Sequence, residues 1–155
     1  MRDIKFRGYH MGNGGWLYGY YIKHEIRQIY PIGDALAVNE IKYYIVCDGF
    51  ADWNMPRDLD FREVAPETVG QYTGVKDTKK KEIYDGDILR IICEDCDYDY
   101  ITSVFSVGIT LCVDVEGEDY DYTPLEFAID VWDNYGTSYE IIGNIHDNPE
   151  LIKGE

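Results

Sequence analysis

The sequence lacks the features of a membrane-spanning or secreted protein. It has no run of about 18 apolar residues, which excludes a transmembrane helix. Its start, Met1–Arg7, carries charges without an apolar stretch, so it does not resemble a secretory signal. The four cysteines are therefore expected to be reduced thiols rather than disulfides. These observations predict a cytoplasmic protein that does not associate with membranes.

Motifs for metal binding and catalysis are also missing. Cys93 and Cys96 have the spacing of half a zinc site, but no second pair of cysteines or histidines completes it. A thiol that ends an apolar run, such as Cys93, is typical of a protein core. The chain has no GxSxG elbow, no phosphate-binding loop and no HExxH motif. We therefore expect no metal, no cofactor and no catalytic residue.

Basic residues are scarce in the second part of the chain. The formal net charge of the 155 residues is −16. Residues 1–90 hold 14 acidic and 13 basic residues, whereas residues 91–155 hold 16 acidic residues and a single base, Lys153. A polyanion of this kind repels nucleic-acid phosphates and attracts cationic partners. We expect no direct binding to nucleic acid and a basic protein partner, unless the charge serves solubility alone.

An acidic, tyrosine-containing pattern occurs twice in this acidic part. Residues 97–100 and residues 119–122 both have the sequence Asp-Tyr-Asp-Tyr. In an extended chain the acids lie on one face and the tyrosines on the other. Three interpretations stay open: a polyanionic partner-binding face, a metal site, and charges that keep strand edges from pairing. The candidate partner-binding residues are Asp97, Tyr98, Asp99, Tyr100, Asp119, Tyr120, Asp121 and Tyr122.

Strand patterns dominate the first third of the chain. Ile4–Arg7 and Trp16–Ile22, separated by a glycine-rich turn, predict a hairpin. Ile26–Ile32 and Ile41–Cys47 predict two further strands, so residues 1–55 form an N-terminal β unit. By the two-residue period of a strand, four large side chains of the second strand share one face: Trp16, Tyr18, Tyr20 and Ile22.

A connection and a second β unit are predicted next. Pro66, Gly70 and Gly74 interrupt the pattern in residues 56–82, which we interpret as the connection. Residues 83–155 then form a C-terminal β unit. Its predicted strands are Ile88–Cys93, Ile101–Val107, Ile109–Val115 and Thr137–Ile145.

Two short helices are predicted near the C-terminus. Thr123, Pro124 and Glu126 form a capping-box pattern at the start of the first. A strand is its alternative, because Phe127 and Ile129 also belong to an alternating pattern. The second is a terminal turn at Asn148–Leu151. The fold class is therefore mainly β, with small SH3-like barrel or half-barrel units, and α+β is the alternative. The predicted buried helix face holds Leu125, Ala128, Ile129 and Trp132.

Blocks along the whole chain resemble one known family. They are Ile4–Arg7 with Trp16–Gly19, Pro66–Asp77, Lys81–Arg90 and Tyr139–Leu151, and they are similar to the YopX family of phage and prophage proteins. The resemblance implies one YopX-like domain over residues 1–155, mostly β, encoded by a bacteriophage or prophage and acting in the bacterial host cell. It implies no activity, because the family has no established one.

The residue types in these blocks indicate turns and their caps. Gly70, Gly74 and Gly86 suit turns, and Asp85 and Asp87 suit caps. We therefore expect the motifs to define the fold.

The favoured function is a phage or prophage accessory protein that binds a macromolecule without catalysis, with a homo-oligomer as an open option. Two alternatives stay open: an acidic DNA mimic that inhibits a host DNA-binding protein, and a carboxylate-metal enzyme. Whether the protein is part of a virion stays open as well.

Overall fold

Strands make up most of the described chain, as the sequence predicts. A computed structural model describes residues 3–27, 39–49, 57–95, 97–115 and 122–152. The chain divides into a first unit, Ile4–Gln71, and a second unit, Tyr72–Glu155 together with Met1–Asp3. The boundary after Gln71 falls inside the predicted connection. No helix in the described segments has the length and apolar character needed to cross a membrane.

An antiparallel sheet forms the first unit. The predicted connection is not a plain linker, because it contains two strands and a 3₁₀ turn at Pro66–Thr68. The strands are β1 (Phe6–Tyr9), β2 (Trp16–Arg27), β3 (Asn39–Asp48), β4 (Leu59–Glu63) and the first residues of β5 (Gly70–Lys76), in the order β4-β3-β2-β1-β5. Ile26 belongs to β2 rather than to a new strand, and residues 28–32 of the predicted strand lie outside the described segments.

The hairpin of β1 and β2 is confirmed. Tyr9 pairs with Trp16, and the His10 N–H donates to the Gly15 carbonyl at 2.9 Å across the turn. The end of β1 also returns to the end of β4, through a bridge between His10 and Val64. This contact closes the sheet on itself, which is consistent with the predicted small barrel.

The inner face of this sheet is closely packed. Ile45 and Val64 are almost fully buried. A Cβ atom on Gly8 would lie 3.0 Å from the Val64 Cβ, so a larger residue here would force Val64 to shift. Tyr21 stacks on Tyr43 with ring centroids 6.4 Å apart, and burial raises the pKa of the Tyr21 hydroxyl.

The second unit packs one helix against small antiparallel sheets. The sheets have the strand orders β12-β7-β8 and β11-β10-β9, and β6 pairs with β5. The strands are β6 (Glu82–Tyr84), β7 (Asp87–Cys93), β8 (Tyr98–Ser103), β9 (Phe105–Val107), β10 (Thr110–Val113), β11 (Thr123–Pro124) and β12 (Ser138–Asn144), and the helix is α1 (Leu125–Asn134). The buried core consists of Ile83, Leu89, Ile91, Val104, Val113, Leu125, Ala128, Ile129, Trp132 and Tyr139.

The helix is confirmed, but its predicted capping box is wrong. The predicted face is buried, whereas Phe127 is 60% exposed, which excludes the strand alternative. The helix begins at Leu125, and no side chain caps its first turn. Thr123 instead pairs with Val113 as part of β11. Strand pairing therefore keeps the Thr123 backbone extended. The buried strand hydrogen bonds outweigh the local preference of threonine for capping a helix.

The predicted glycine turns are confirmed at one of three positions. Gly86 has φ of 85° in the turn between β6 and β7, a region that favours glycine. Gly74 also has a positive φ, 90°, but it lies inside β5, where the register with β6 shifts. Gly70 pairs with Arg7 inside β5 and makes no turn. Val104 likewise interrupts the predicted strand 101–107, where its N–H donates to the Asp87 carbonyl at 2.8 Å.

Candidate functional site

The first acidic repeat turns its tyrosines inward. Tyr98 and Tyr100 lie on β8 opposite Cys93 and Ile91 of β7, so their rings share the core side of the sheet. Both rings pack against the hydrophobic core, 5.7 Å apart between centroids. The Tyr98 hydroxyl is 2.9 Å from the Thr137 hydroxyl. These two tyrosines are therefore packing residues rather than an exposed contact surface.

Asp99 lies on the opposite side of the same sheet and is ion-paired. The Arg90 Nε and Nη2 atoms donate to its two carboxylate oxygens at 2.9 Å and 2.5 Å. This bidentate bond holds the pKa of the Asp99 carboxyl below its ordinary value and raises that of the guanidinium. On the third strand, Glu140 pairs with Lys79 at 2.5 Å. Ion pairs thus neutralise part of this acidic face.

Asp97 and Tyr122, the other repeat residues within the described segments, are not assembled with these. Asp97 is exposed in the turn between β7 and β8, with φ of 55°. Tyr122 is 44% exposed and meets the Phe105 ring edge-to-face at 6.3 Å. The predicted partner-binding residues Asp119, Tyr120 and Asp121 lie outside the described segments. Of residues 97–100, therefore, only Asp97 presents an exposed side chain that has no ion pair within the described segments.

No metal centre is formed by the part of the chain that the structure describes, where no three His, Cys, Asp or Glu side chains cluster. Cys93 is buried, and its thiol faces the Tyr135 carbonyl at 3.8 Å. Cys96 lies outside the described residues. Burial raises the pKa of the Cys112 thiol, so this residue behaves as an apolar core side chain.

Buried polar side chains of the family-like blocks bond to backbone. The two carboxylate oxygens of Asp77 accept the Lys81 N–H at 2.8 Å and the Ile141 N–H at 3.3 Å. The Asp87 carboxylate accepts the Tyr84 N–H at 2.7 Å. Asp85 takes another role, since it accepts a hydrogen bond from the Ser106 hydroxyl. The most buried of these carboxylates, Asp77 and Asp87, therefore stabilise the fold by accepting backbone N–H groups.

Asn144 plays the same part near the end of the chain. Its side-chain oxygen accepts the N–H groups of His146 and Asp147, both at 2.9 Å, and its amide donates to the Asp147 carboxylate at 2.8 Å. These contacts shape the turn that follows β12. The block that contains His146 is therefore built around a turn.

An exposed apolar surface lies on the outer side of the first unit. Tyr20 of β2, Val46 of β3 and Phe61 of β4 form one cross-strand row. Val46 is buried, while Tyr20 and Phe61 are 62% and 57% exposed. We call this surface the exposed aromatic face, and it consists of Tyr18, Tyr20, Ile22, Leu59 and Phe61, all exposed. An exposed apolar surface on neighbouring strands is typical of an interaction site.

The sequence predicts only the β2 part of this face, Tyr18, Tyr20 and Ile22. The two-residue period of β2 places Tyr18 and Tyr20 on the same side of the strand. Tyr21 lies on the other side, so the sequence alone does not indicate which side is exposed. Leu59 and Phe61 fall in the predicted connection, where an alternating five-residue strand was missed. Trp16 belongs to the same side but is half-buried, because its ring covers the Arg7 guanidinium at 4.9 Å.

Two small β units, a single α-helix in the described segments and buried carboxylates bonded to backbone define a small, mainly β protein. The chain belongs to the YopX family, because the family model described as YopX protein matches residues 5–153. This match confirms the resemblance found in the sequence. No curated protein and no solved structure matches the chain.

Proposed function

We propose that this YopX-family protein binds another protein without catalysing a reaction, and that the partner docks on the exposed aromatic face. The observation that supports this proposal most directly is the row of Tyr20, Val46 and Phe61 on adjacent strands, with both aromatic side chains more than half exposed. Tyrosine and phenylalanine are enriched at the centres of interfaces because they bury a large area with few rotatable bonds.

The sheet makes these side chains ready for binding. β2 pairs with β3 over eight residue pairs, from Tyr20–Val46 to Arg27–Asn39, and β3 pairs with β4. Because strand pairing already orders the backbone, a partner that covers these side chains restricts only their rotamers, and more of the burial energy goes into affinity. Burying each aromatic ring contributes about 2 kcal/mol at roughly 25 cal/mol per Å².

Charge defines the partner further. The second unit holds 21 acidic and 7 basic residues, and the first unit holds 9 and 7. A strongly negative protein attracts a positively charged partner at long range and repels nucleic acid. The partner in this proposal is therefore a basic protein with an apolar contact surface. We place the interaction in the cytoplasm of a bacterial host, with the protein as a phage or prophage accessory factor.

The test compares two double variants. Tyr18→Ser/Tyr20→Ser removes two rings of the exposed aromatic face, and the control Ile109→Ser/Tyr135→Ser removes two exposed apolar side chains of the second unit. A partner captured from host lysate is identified, purified and titrated by calorimetry. Loss of two central contacts lowers the affinity roughly 1,000-fold, at about 2 kcal/mol each. The control variant binds as the wild type does.

Two results would contradict this assignment. Equal affinity of both double variants would show that the partner docks elsewhere. Loss of binding in Asp95→Asn/Asp97→Asn with retained binding in Tyr18→Ser/Tyr20→Ser would instead support the charge-mimic alternative. Asp99 is a poor probe of that alternative, because Arg90 already neutralises it.

A further inference from the structure

The outer side of β4 carries backbone groups that point away from the sheet. The Gly49 N–H donates to the Asp58 carbonyl at 2.7 Å, and the Val64 N–H donates to the Tyr43 carbonyl at 2.9 Å. The backbone groups at these even positions therefore face β3. Because the direction alternates along an antiparallel strand, the N–H and C=O groups of Leu59 and Phe61 face outward.

Only the end of this edge is occupied. The Met11 N–H donates to the outward Glu63 carbonyl at 3.2 Å. Within the described segments, no other strand lies beside β4 on this side, and no residue bonds the outward groups of Leu59 or Phe61. Both side chains are also more than half exposed. A strand edge with open hydrogen-bonding groups and exposed apolar side chains is a site where another strand adds to the sheet.

We propose that a second copy of this chain pairs with β4 through the same edge, antiparallel, with the two-fold axis between the two Asp60 residues. In this register Leu59 lies opposite Phe61 of the second copy, and Phe61 lies opposite its Leu59. Each such pair exchanges both N–H···O bonds, which uses every outward group of the two residues on both strands. The pairing ends before Glu63, so Met11 keeps its bond.

The side chains of β4 complement themselves in this register. On the exposed aromatic face, Leu59 meets Phe61 of the second copy, an aliphatic–aromatic pair that stabilises a sheet. On the other face, Arg62 lies opposite Asp58 of the second copy, and the reverse pair forms as well. The one unfavourable pair is Asp60 with its own copy, and each Asp60 keeps its bond from Arg62, 2.8 Å from Nε to Oδ2.

A symmetric interface of this kind requires the same groups on both sides. β4 meets this requirement, because its outward backbone groups, its two apolar side chains and the Asp58 and Arg62 charges find partners in an identical strand. The contact is short, so the dimer is weak and reversible. This inference does not require the proposed protein partner, because it rests on the backbone edge of β4. Leu59 and Phe61 nevertheless also belong to the exposed aromatic face.

The first test removes one outward hydrogen bond. Leu59→Pro deletes an N–H that faces outward, and proline is tolerated at the first residue of an edge strand. We expect sedimentation equilibrium to show a concentration-dependent dimer for the wild type and at least a tenfold weaker one for Leu59→Pro. Circular dichroism confirms that the variant is folded. Tyr18→Ser/Tyr20→Ser keeps the wild-type dimer, which separates this test from that of the proposed function.

The second test determines the register. Asp60→Asn removes the like-charge pair at the axis and should strengthen the dimer by up to about fivefold, since such pairs are worth roughly 0.2–1 kcal/mol. In a register centred on Phe61, Asp60 would face Arg62 of the second copy, and the same variant would weaken the dimer. A weaker Asp60→Asn dimer overturns the proposed register. A wild-type chain that stays monomeric, or a dimer unaffected by Leu59→Pro, overturns the proposal itself.

Discussion

Arg90 and Asp99 form a bidentate ion pair between neighbouring strands, with Nε–Oδ1 and Nη2–Oδ2 distances of 2.9 Å and 2.5 Å. The two residues are not directly opposite: Asp99 lies opposite Ile92, and Arg90 lies opposite Ile101. The pair therefore spans the diagonal of the ladder, within reach of a long arginine side chain. This contact converts a residue of the acidic repeat into part of a neutral pair.

Replacing Arg90 should change the titration of Asp99. We expect Arg90→Gln to raise the pKa of the Asp99 carboxyl toward its ordinary value of 3.8, because the hydrogen-bonded guanidinium that lowers it is lost. With a lowered pKa, Asp99 stabilises the wild-type fold above the unfolded-state pKa, and this contribution is lost as the pH falls through the folded-state pKa. Carboxyl-carbon NMR titration measures the shift, and Lys79→Gln is the control that leaves it unchanged.

The Asp77 carboxylate should be needed for stability. Asp77→Asn places an NH₂ group where a carboxylate oxygen accepts a backbone N–H of Lys81 or Ile141, leaving a buried donor without an acceptor. We expect a loss of about 1–3 kcal/mol in the free energy of unfolding, measured by urea titration. The exposed control Asp95→Asn should change it by less than about 0.5 kcal/mol. Similar values for the two variants would contradict a structural role for Asp77.

The orientation of α1 can be tested by truncating its two sides. Ile129 is buried, and Phe127 is 60% exposed. Ile129→Ala should lower the free energy of unfolding by about 2–5 kcal/mol, because it removes apolar volume from the core. Phe127→Ala should change it by less than about 0.5 kcal/mol. A large effect of Phe127→Ala would mean that a partner or another segment covers this side of the helix.

Tyr139 should make stability fall at alkaline pH. Burial, with the nearby Asp133 carboxylate, raises the pKa of its hydroxyl from 10.0 to about 12. An unfolded chain loses this proton first, so the contribution is present below pH 10 and is lost as the pH rises toward 12.

The measurement is the free energy of unfolding on both sides of this window. Tyr139→Phe removes the hydrogen bond to Asp133 and should lower the free energy of unfolding by about 1 kcal/mol. Because the variant has no hydroxyl at this position, its stability should not fall through this group at alkaline pH. The wild type should therefore be the more stable protein below pH 10, and its advantage should shrink above it. Tyr135→Phe, with an exposed side chain, should follow the wild type throughout.

Local patterns predicted the elements that have a clear period. The hairpin of β1 and β2 followed from alternation and a glycine turn, and the buried side of α1 followed from the helical spacing of Leu125 and Trp132. The strand Leu59–Glu63 was not predicted, because Pro56 and Asp58, which favour turns, come just before it and obscure its short alternation. The β4 part of the exposed aromatic face was missed for this reason.

The predictions that were wrong concern residues that pair with strands distant in the sequence. Thr123 has a strong capping preference, yet it forms β11 because Val113 offers strand hydrogen bonds. Gly70 suits a turn, yet it pairs with Arg7 in β5. Both preferences are worth about 1 kcal/mol or less, which several cooperative ladder bonds and packing contacts outweigh.

The sequence by itself determined the fold class, the family and the uneven distribution of charge, because each of these depends on composition, order and local period. Only the tertiary structure decided which face of a strand meets solvent. Tyr20 and Tyr21 are neighbours of one type, but the closed sheet leaves Tyr20 on its outer side and Tyr21 stacked on Tyr43. The tyrosines of residues 97–100 turn inward because α1 covers their side of the sheet. Burial depends on which elements pack together, and residues far apart in the chain set that packing.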